Sequence, residues 1–147
     1  MILIAENYST EIRINAEIAR VWTVSTDTGL MSQWLGDAEM GIQVRTSWQV
    51  NSPILISGFH HTQFEIKGIV LNFEEPQILS YTHLSLQFML ADEPPNYTKL
   101  EFILNGEDHA VLTVNLENFL TLIIKNHLEF YWRGTLQVIK QLAENPG

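Results

Sequence analysis

Residues 99–143 read KLEFILNGEDHAVLTVNLENFLTLIIKNHLEFYWRGTLQVIKQLA, and a change of period inside this stretch decides the fold. Leu100, Phe102 and Leu104 alternate with Lys99, Glu101 and Ile103, and Ala110, Leu112 and Val114 alternate with Val111, Thr113 and Asn115. Period two on both sides of Asn105-Gly106-Glu107-Asp108 predicts a β-hairpin. From Thr121 to Ala143 the period becomes helical, with Leu128, Trp132, Leu136, Ile139 and Leu142 on one face. A helix of that length spans roughly 35 Å. Its large apolar side chains, at roughly 1.5 to 3 kcal/mol each before the entropy cost, are enough to anchor it on a sheet.

Working outward, Ile12 and Ile14 alternate with Glu11, Arg13 and Asn15, which predicts a first strand over Thr10–Asn15. Asn15 is then placed to cap a helix over Ala16–Ser25, whose apolar face is Ile18, Val21 and Trp22. A second short helix follows, with Asp27 or Thr28 as its cap and Leu30, Met31, Trp34 and Leu35 as its buried side. From Asp37 to Leu116 strands follow one another, separated by Asn51-Ser52-Pro53, Glu74-Glu75-Pro76, Asp92-Glu93-Pro94-Pro95-Asn96 and the hairpin turn. Strands without helices between them form an antiparallel meander, so the expectation is one α+β domain over residues 1–147, with a curved sheet and the long helix across it.

Composition narrows the function. Hydrophobic residues make up 46% of the 147 and aromatics 10%, with Trp22, Trp34, Trp48 and Trp132 spread along the chain, so a filled interior is expected. The net charge of -9 repels phosphate backbones and anionic membrane surfaces, which excludes nucleic acid and membrane partners from the reading. There is no cysteine, so thiolate chemistry, disulfides and Cys-based zinc sites are excluded, and a cytoplasmic setting is expected. Met1–Ala5 is too short for a signal-peptide core, and the Phe119–Ile124 run falls far below the ~20 residues of a membrane span.

The order strand, two short helices, about six further strands and a long helix resembles the helix-grip fold of the START-like, or SRPBCC, superfamily. Ile12-Arg13-Ile14-Asn15-Ala16 before Val21-Trp22, then Gln33-Trp34-Leu35, Lys67-Gly68-Ile69-Val70-Leu71, Leu79-Ser80-Tyr81, Leu112-Thr113-Val114 and Tyr131-Trp132 with Leu136 and Lys140, carry the likeness. Together they look like the branch named after the activator of the heat-shock protein 90 ATPase, over nearly the whole chain. The resemblance implies six to seven antiparallel strands around the C-terminal helix, often with an apolar cavity between sheet, long helix and short helices. Lipid and hormone carriers, polyketide cyclases and a co-chaperone domain share this fold, so function has to be argued from the site. The eukaryotic co-chaperones carry a separate N-terminal domain, whereas this chain opens on the first START-like strand, which ranks co-chaperone activity below binding.

In this reading the cavity is lined by Trp22, Trp34, Phe64, Ile66, Val70, Tyr81, His83, Phe102, Leu112, Val114, Leu128, Tyr131 and Trp132. Apolar walls with a few hydroxyl or imidazole groups suit a small apolar molecule, and they equally suit a filled core. Leu79, Tyr81 and His83 share a strand face by period two, and the resemblance implies a large aromatic facing the cavity at the His83 position. His83 is then either a ring that orients a ligand or a core histidine bonded to a neighbour, and a shift of register by one would turn it to solvent.

Catalytic chemistry has little to stand on. His60 and His61 are adjacent, so regular strand geometry sends them to opposite faces, and a turn or edge with solvated rings is the simplest reading. His109 beside the hairpin turn is expected to be exposed. No metal-ligand spacing, nucleophile elbow or phosphate-cradling glycine motif is present, and Glu74-Glu75, Asp92-Glu93 and Glu107-Asp108 read as solvated loop charges. No metal and no cofactor are expected, and no catalytic residue is assigned.

Three functions follow as expectations. The first is non-enzymatic binding of a small hydrophobic or amphipathic ligand. The second is a protein-interaction or co-chaperone-like module in stress response. The third is a cyclase-type enzyme in which His83 and Tyr131 polarise a carbonyl. Ile123, His127, Phe130 and Gly134 form a second stripe on the long helix, turned away from the core. They are the candidate surface for a homodimer or a chaperone partner, with Phe130 expected to be exposed.

Overall fold

A computed structural model describes residues 7–85, 91–119 and 121–145. Met1–Ala5 lies outside them. The elements in chain order are β1 (Tyr8–Ile14), α1 (Ile18–Thr26), α2 (Thr28–Trp34), a 3-10 turn (Ala38–Met40), β2 (Gln43–Thr46) and β3 (Pro53–His60). They continue with β4 (Thr62–Glu74), β5 (Ile78–Ser85), a 3-10 turn (Pro94–Asn96), β6 (Thr98–Asn105), β7 (Ala110–Glu117) and α3 (Leu122–Glu144). The strands form one seven-stranded antiparallel sheet in the order β1-β7-β6-β5-β4-β3-β2. This is the expected α+β helix-grip architecture, a curved sheet holding a long C-terminal helix, with two short helices after strand one.

Alternation places the core. In β6 and β7 Leu100, Phe102, Leu104, Ala110, Leu112, Val114 and Leu116 are all buried, and Phe102 pairs with Val114 across the ladder. That concave face receives α3 through Leu128, Trp132, Leu136, Ile139 and Ala143. Leu142, expected in the stripe, is only half-buried, and the smaller Ala143 makes the contact where the helix end meets β1 and α1.

Caps explain where the helices begin. Asp27 Oδ1 accepts the Leu30 N–H at 3.0 Å, and Thr121 Oγ1 accepts the Ile124 N–H at 3.1 Å, so both orphan amides are satisfied. The expected Asn15 cap is not formed. α1 begins at Ile18 with Glu17 in the cap position and no side-chain bond there. Asn15 instead donates its backbone N–H to the Glu144 carboxylate at 2.7 Å, while its Oδ1 lies 3.1 Å from His109 Nδ1. Lys140 Nζ donates to the Arg13 carbonyl at 3.0 Å beside it, so polar bonds clamp the C-terminal half of α3 to the end of β1.

Gly68 marks a close approach. A Cβ there would lie 1.5 Å from the Thr82 carbonyl oxygen, and the β4–β5 register shifts just beyond, between Val70 and Asn72. Only glycine lets the two strands meet in this way, and the irregularity bends the sheet where it curls around α3.

Candidate functional site

The C-terminal half of α3 lies on β1 and α1, but its N-terminal half stands clear of β3, β4 and β5. Between them is a cavity of about 510 Å3. Its sheet wall includes Ile56 on β3, Phe64 and Ile66 on β4, Tyr81 and His83 on β5, and Thr98 and Leu100 on β6. Ile124, Leu128, Tyr131 and Trp132 form the helix wall. Leu35, Met40 and Ile42, in the segment after α2, close one side, and exposed Ile123, His60 and His127 stand at the mouth.

The four tryptophans do not fill this space: Trp132 stands on its wall, and the other three are held in the core beyond it. Trp132, on the wall, packs on Trp34 and Phe102 in the core beneath, an aromatic triad with centroids 5.5 to 6.1 Å apart. Trp22 packs on Phe73 at 5.2 Å, and Trp48 stacks on the same ring at 5.3 Å. The Trp34 indole N–H donates to the Val24 carbonyl and that of Trp48 to the Thr26 carbonyl, each at 2.8 Å. Both acceptors lie in the last turn of α1, whose carbonyls have no helical partner, so the two rings are fixed where those carbonyls are.

Of the residues expected on the cavity wall, Phe64, Ile66, Tyr81, His83, Leu128, Tyr131 and Trp132 stand there. Trp22, Trp34, Val70, Phe102, Leu112 and Val114 do not, and belong to the closed core beneath it. Periodicity identifies the face of an element, but it carries no information on how far along that face the packing closes. Leu35, Met40, Ile42, Ile56, Thr98, Leu100 and Ile124 were not anticipated. Leu35 is read from the sequence only as part of the buried side of α2, and Met40 and Ile42 lie in a turn and a coil without period. Leu100 belongs to a face already read as apolar, with Thr98 and Ile124 extending such faces, and Ile56 lies on a strand whose faces the sequence reading leaves unassigned.

Polar groups on the wall differ in whether they are engaged. The Tyr131 hydroxyl donates to the Leu35 carbonyl at 2.7 Å, and burial pushes it up to about 12. Thr98 Oγ1 donates to the Asn118 carbonyl at 3.3 Å. Tyr81 is only 3% exposed, and neither its hydroxyl nor the His83 ring hydrogen-bonds to any described residue. The two rings are neighbours on β5, 6.4 Å apart. Burial pushes the Tyr81 hydroxyl up and the His83 imidazole down to about 4, so both are neutral at physiological pH. His83 thus faces the cavity without a bonded neighbour, and Tyr131, the other group considered for polarising a carbonyl, has its proton committed to α2.

The remaining histidines stand at turns and at the cavity mouth. His60 ends β3, and His61, with φ of 64°, makes the turn into β4, so the two rings lie 4.5 Å apart instead of on opposite faces. This is the expected turn with solvated rings, both imidazoles being exposed and His61 a left-handed turn residue. His109 is half-buried and bonded to Asn15. Among the described residues no group of three or more His, Asp or Glu is set to hold a metal ion. The loop carboxylates Glu74, Glu75, Asp92, Glu93, Glu107 and Asp108 are exposed, and among the described residues no carboxylate, lysine or arginine lines the cavity.

The second helix stripe divides. Ile123 and His127 rim the cavity mouth, while Phe130 is 77% exposed and Gly134 presents open backbone. No helix of the described residues is long and apolar enough to cross a membrane.

The model of the family described as Activator of Hsp90 ATPase homolog 1-like protein matches residues 15–144. Solved structures share the fold. A protein of Cytophaga hutchinsonii solved in solution is 25% identical, with a TM-score of 0.79 over 99% of this chain and 98% of that one. A crystal structure from Chromobacterium violaceum is 15% identical, with a TM-score of 0.81 over 95% and 97%. The solution structure of the Aha1 dimer from Colwellia psychrerythraea is 16% identical, with a TM-score of 0.73 over 95% and 96%. No curated protein sequence matches the chain.

Proposed function

Because the chain belongs to the Activator of Hsp90 ATPase homolog 1-like family, whose fold admits carriers, enzymes and interaction modules, we propose from the site itself that it is a non-enzymatic binding domain for one small hydrophobic or amphipathic molecule. The observation that carries this is the cavity of about 510 Å3 between sheet and long helix, walled chiefly by Ile, Leu, Phe, Tyr and Trp. That volume lies within the ~300 to 1,000 Å3 range of small-molecule pockets. A void of this size costs stability when empty and regains it when an apolar guest restores the missing contacts. A cytoplasmic setting is part of the reading, in keeping with a chain without cysteine. Native mass spectrometry of freshly purified protein, followed by thermal denaturation with hydrophobic compounds, is the test. A retained small molecule, or a melting temperature that rises with ligand concentration as native-state binding requires, supports the proposal. Ligand-free protein with no shift across a broad panel removes it.

A second reading concerns assembly, and the exposed stripe favours it. Phe130, 77% exposed, and Leu122, 57% exposed, stand on α3 where Gly134 leaves the backbone open, a surface on which a second copy of the chain could pack closely. The related Colwellia psychrerythraea structure is that of a dimer. Sedimentation of the wild type beside Phe130→Glu at matched concentration decides it. A dimer that becomes a folded monomer on substitution supports the interface, and an unchanged mass for both proteins removes it.

A further inference from the structure

Tyr81 and His83 form a polar couple without bonded neighbours on the wall of a mainly apolar cavity, and this implies a chemistry for the occupant. Tyr81 is almost wholly buried as a residue, and its hydroxyl opens onto the cavity without a bonded neighbour. Among the other wall groups, Tyr131 is bonded to Leu35, Thr98 to Asn118 and Asn96 to Ala91, while Ser85, two residues beyond His83 on β5, likewise has no hydrogen bond to a described residue. Two residues apart on β5, Tyr81 and His83 face the same space, one offering an O–H donor and the other an N–H donor with an acceptor nitrogen. Against an alkyl chain both would remain unsatisfied, whereas a ligand oxygen placed between them would satisfy both. Among the described residues no lysine or arginine lines the cavity, the chain carries a net charge of -9, and desolvation favours the neutral form of both groups. A carboxylate brought to this depth would lose its hydration without gaining a countercharge.

We propose that Tyr81 and His83 are the specificity-determining subsite of the cavity, selecting a neutral amphiphile that carries a carbonyl or hydroxyl oxygen over a carboxylate of the same shape. The proposal rests on the binding reading above and names the ligand class for that site.

Isothermal titration calorimetry at pH 7.5 with matched probes tests it: methyl naphthyl ketone, naphthoate and naphthalene as one set, methyl undecyl ketone and dodecanoate as another. The ketone of at least one set is expected to bind about tenfold or more tighter than its carboxylate, a preference of the size of one desolvated charge-free hydrogen bond against an uncompensated anion. Tyr81→Phe and His83→Leu are each expected to weaken the ketone about fivefold to tenfold while leaving naphthalene within about twofold. If no probe binds the wild type, the binding reading itself fails. If a carboxylate binds as tightly as its ketone, or both variants bind the ketone as the wild type does, the subsite is overturned while the cavity reading stands. Equal weakening of ketone and naphthalene in both variants also overturns it, because that is the signature of a reshaped wall.

Discussion

The Tyr131 hydroxyl donates to the Leu35 carbonyl across 96 residues of sequence, a 2.7 Å bond that joins the middle of α3 to the C-terminal end of α2. Leu35 is the C-cap of α2, so its carbonyl is among those a helix end leaves without an intrahelical partner. The bond holds one wall of the cavity against another. Tyr131→Phe keeps the ring and removes only the donor, and it is expected to cost about 1 kcal/mol, measured as a lower urea midpoint with an unchanged m-value. An unaltered midpoint would show that the α2 carbonyl finds an equivalent partner without Tyr131.

Trp132 is buried, stands on the cavity wall against Phe102 and Trp34, and is the largest side chain that α3 brings to the sheet. Trp132→Ala is expected to destabilise by about 3 to 5 kcal/mol, since the space it leaves merges with a void that the fold cannot collapse. A loss below about 1 kcal/mol in equilibrium unfolding would mean that the ring contributes little to packing.

Gly134 sits in the interior of α3, and a Cβ added there meets nothing within 4 Å. Gly134→Ala is therefore expected to stabilise the monomer by roughly 0.5 to 1 kcal/mol through backbone entropy and helix propensity alone. A decrease in melting temperature instead would indicate that a second copy covers this face, and sedimentation of the same variant would then show a smaller mass.

His83 gives the protein an acid-side liability whose sign follows from linkage. Burial lowers its folded value to about 4 from the ordinary 6.5. Between these values the unfolded chain binds a proton there that the native chain does not, so stability rises with pH across this window and is lost as pH falls through it. The stability difference between wild type and His83→Leu should therefore shift against the wild type as pH falls from 7.5 to 4.5, read from urea midpoints at matched pH. A constant difference across the window would mean that the ring titrates normally and is reached by water.

The elements were legible in the sequence because periodicity is local. Alternation at Leu100, Phe102 and Leu104 and helical spacing at Leu128, Trp132 and Leu136 each record which face of one element leaves water, and the structure buries those faces. The exposure of Phe130 follows from the same angular reasoning. Other features depend on contacts between residues far apart in sequence. Asn15 is drawn from capping α1 by Glu144 and His109, and Ala143 replaces Leu142 where α3 meets β1 and α1. Trp34 and Trp48 are held by the terminal carbonyls of α1, leaving open a space that four tryptophans had seemed sufficient to fill. The sequence by itself determined which residues face inward, because burial pattern is written at the spacing of one strand or one helix. Only the tertiary structure decided how far the core closes and which polar groups in it remain unbonded, because both depend on where separate elements meet.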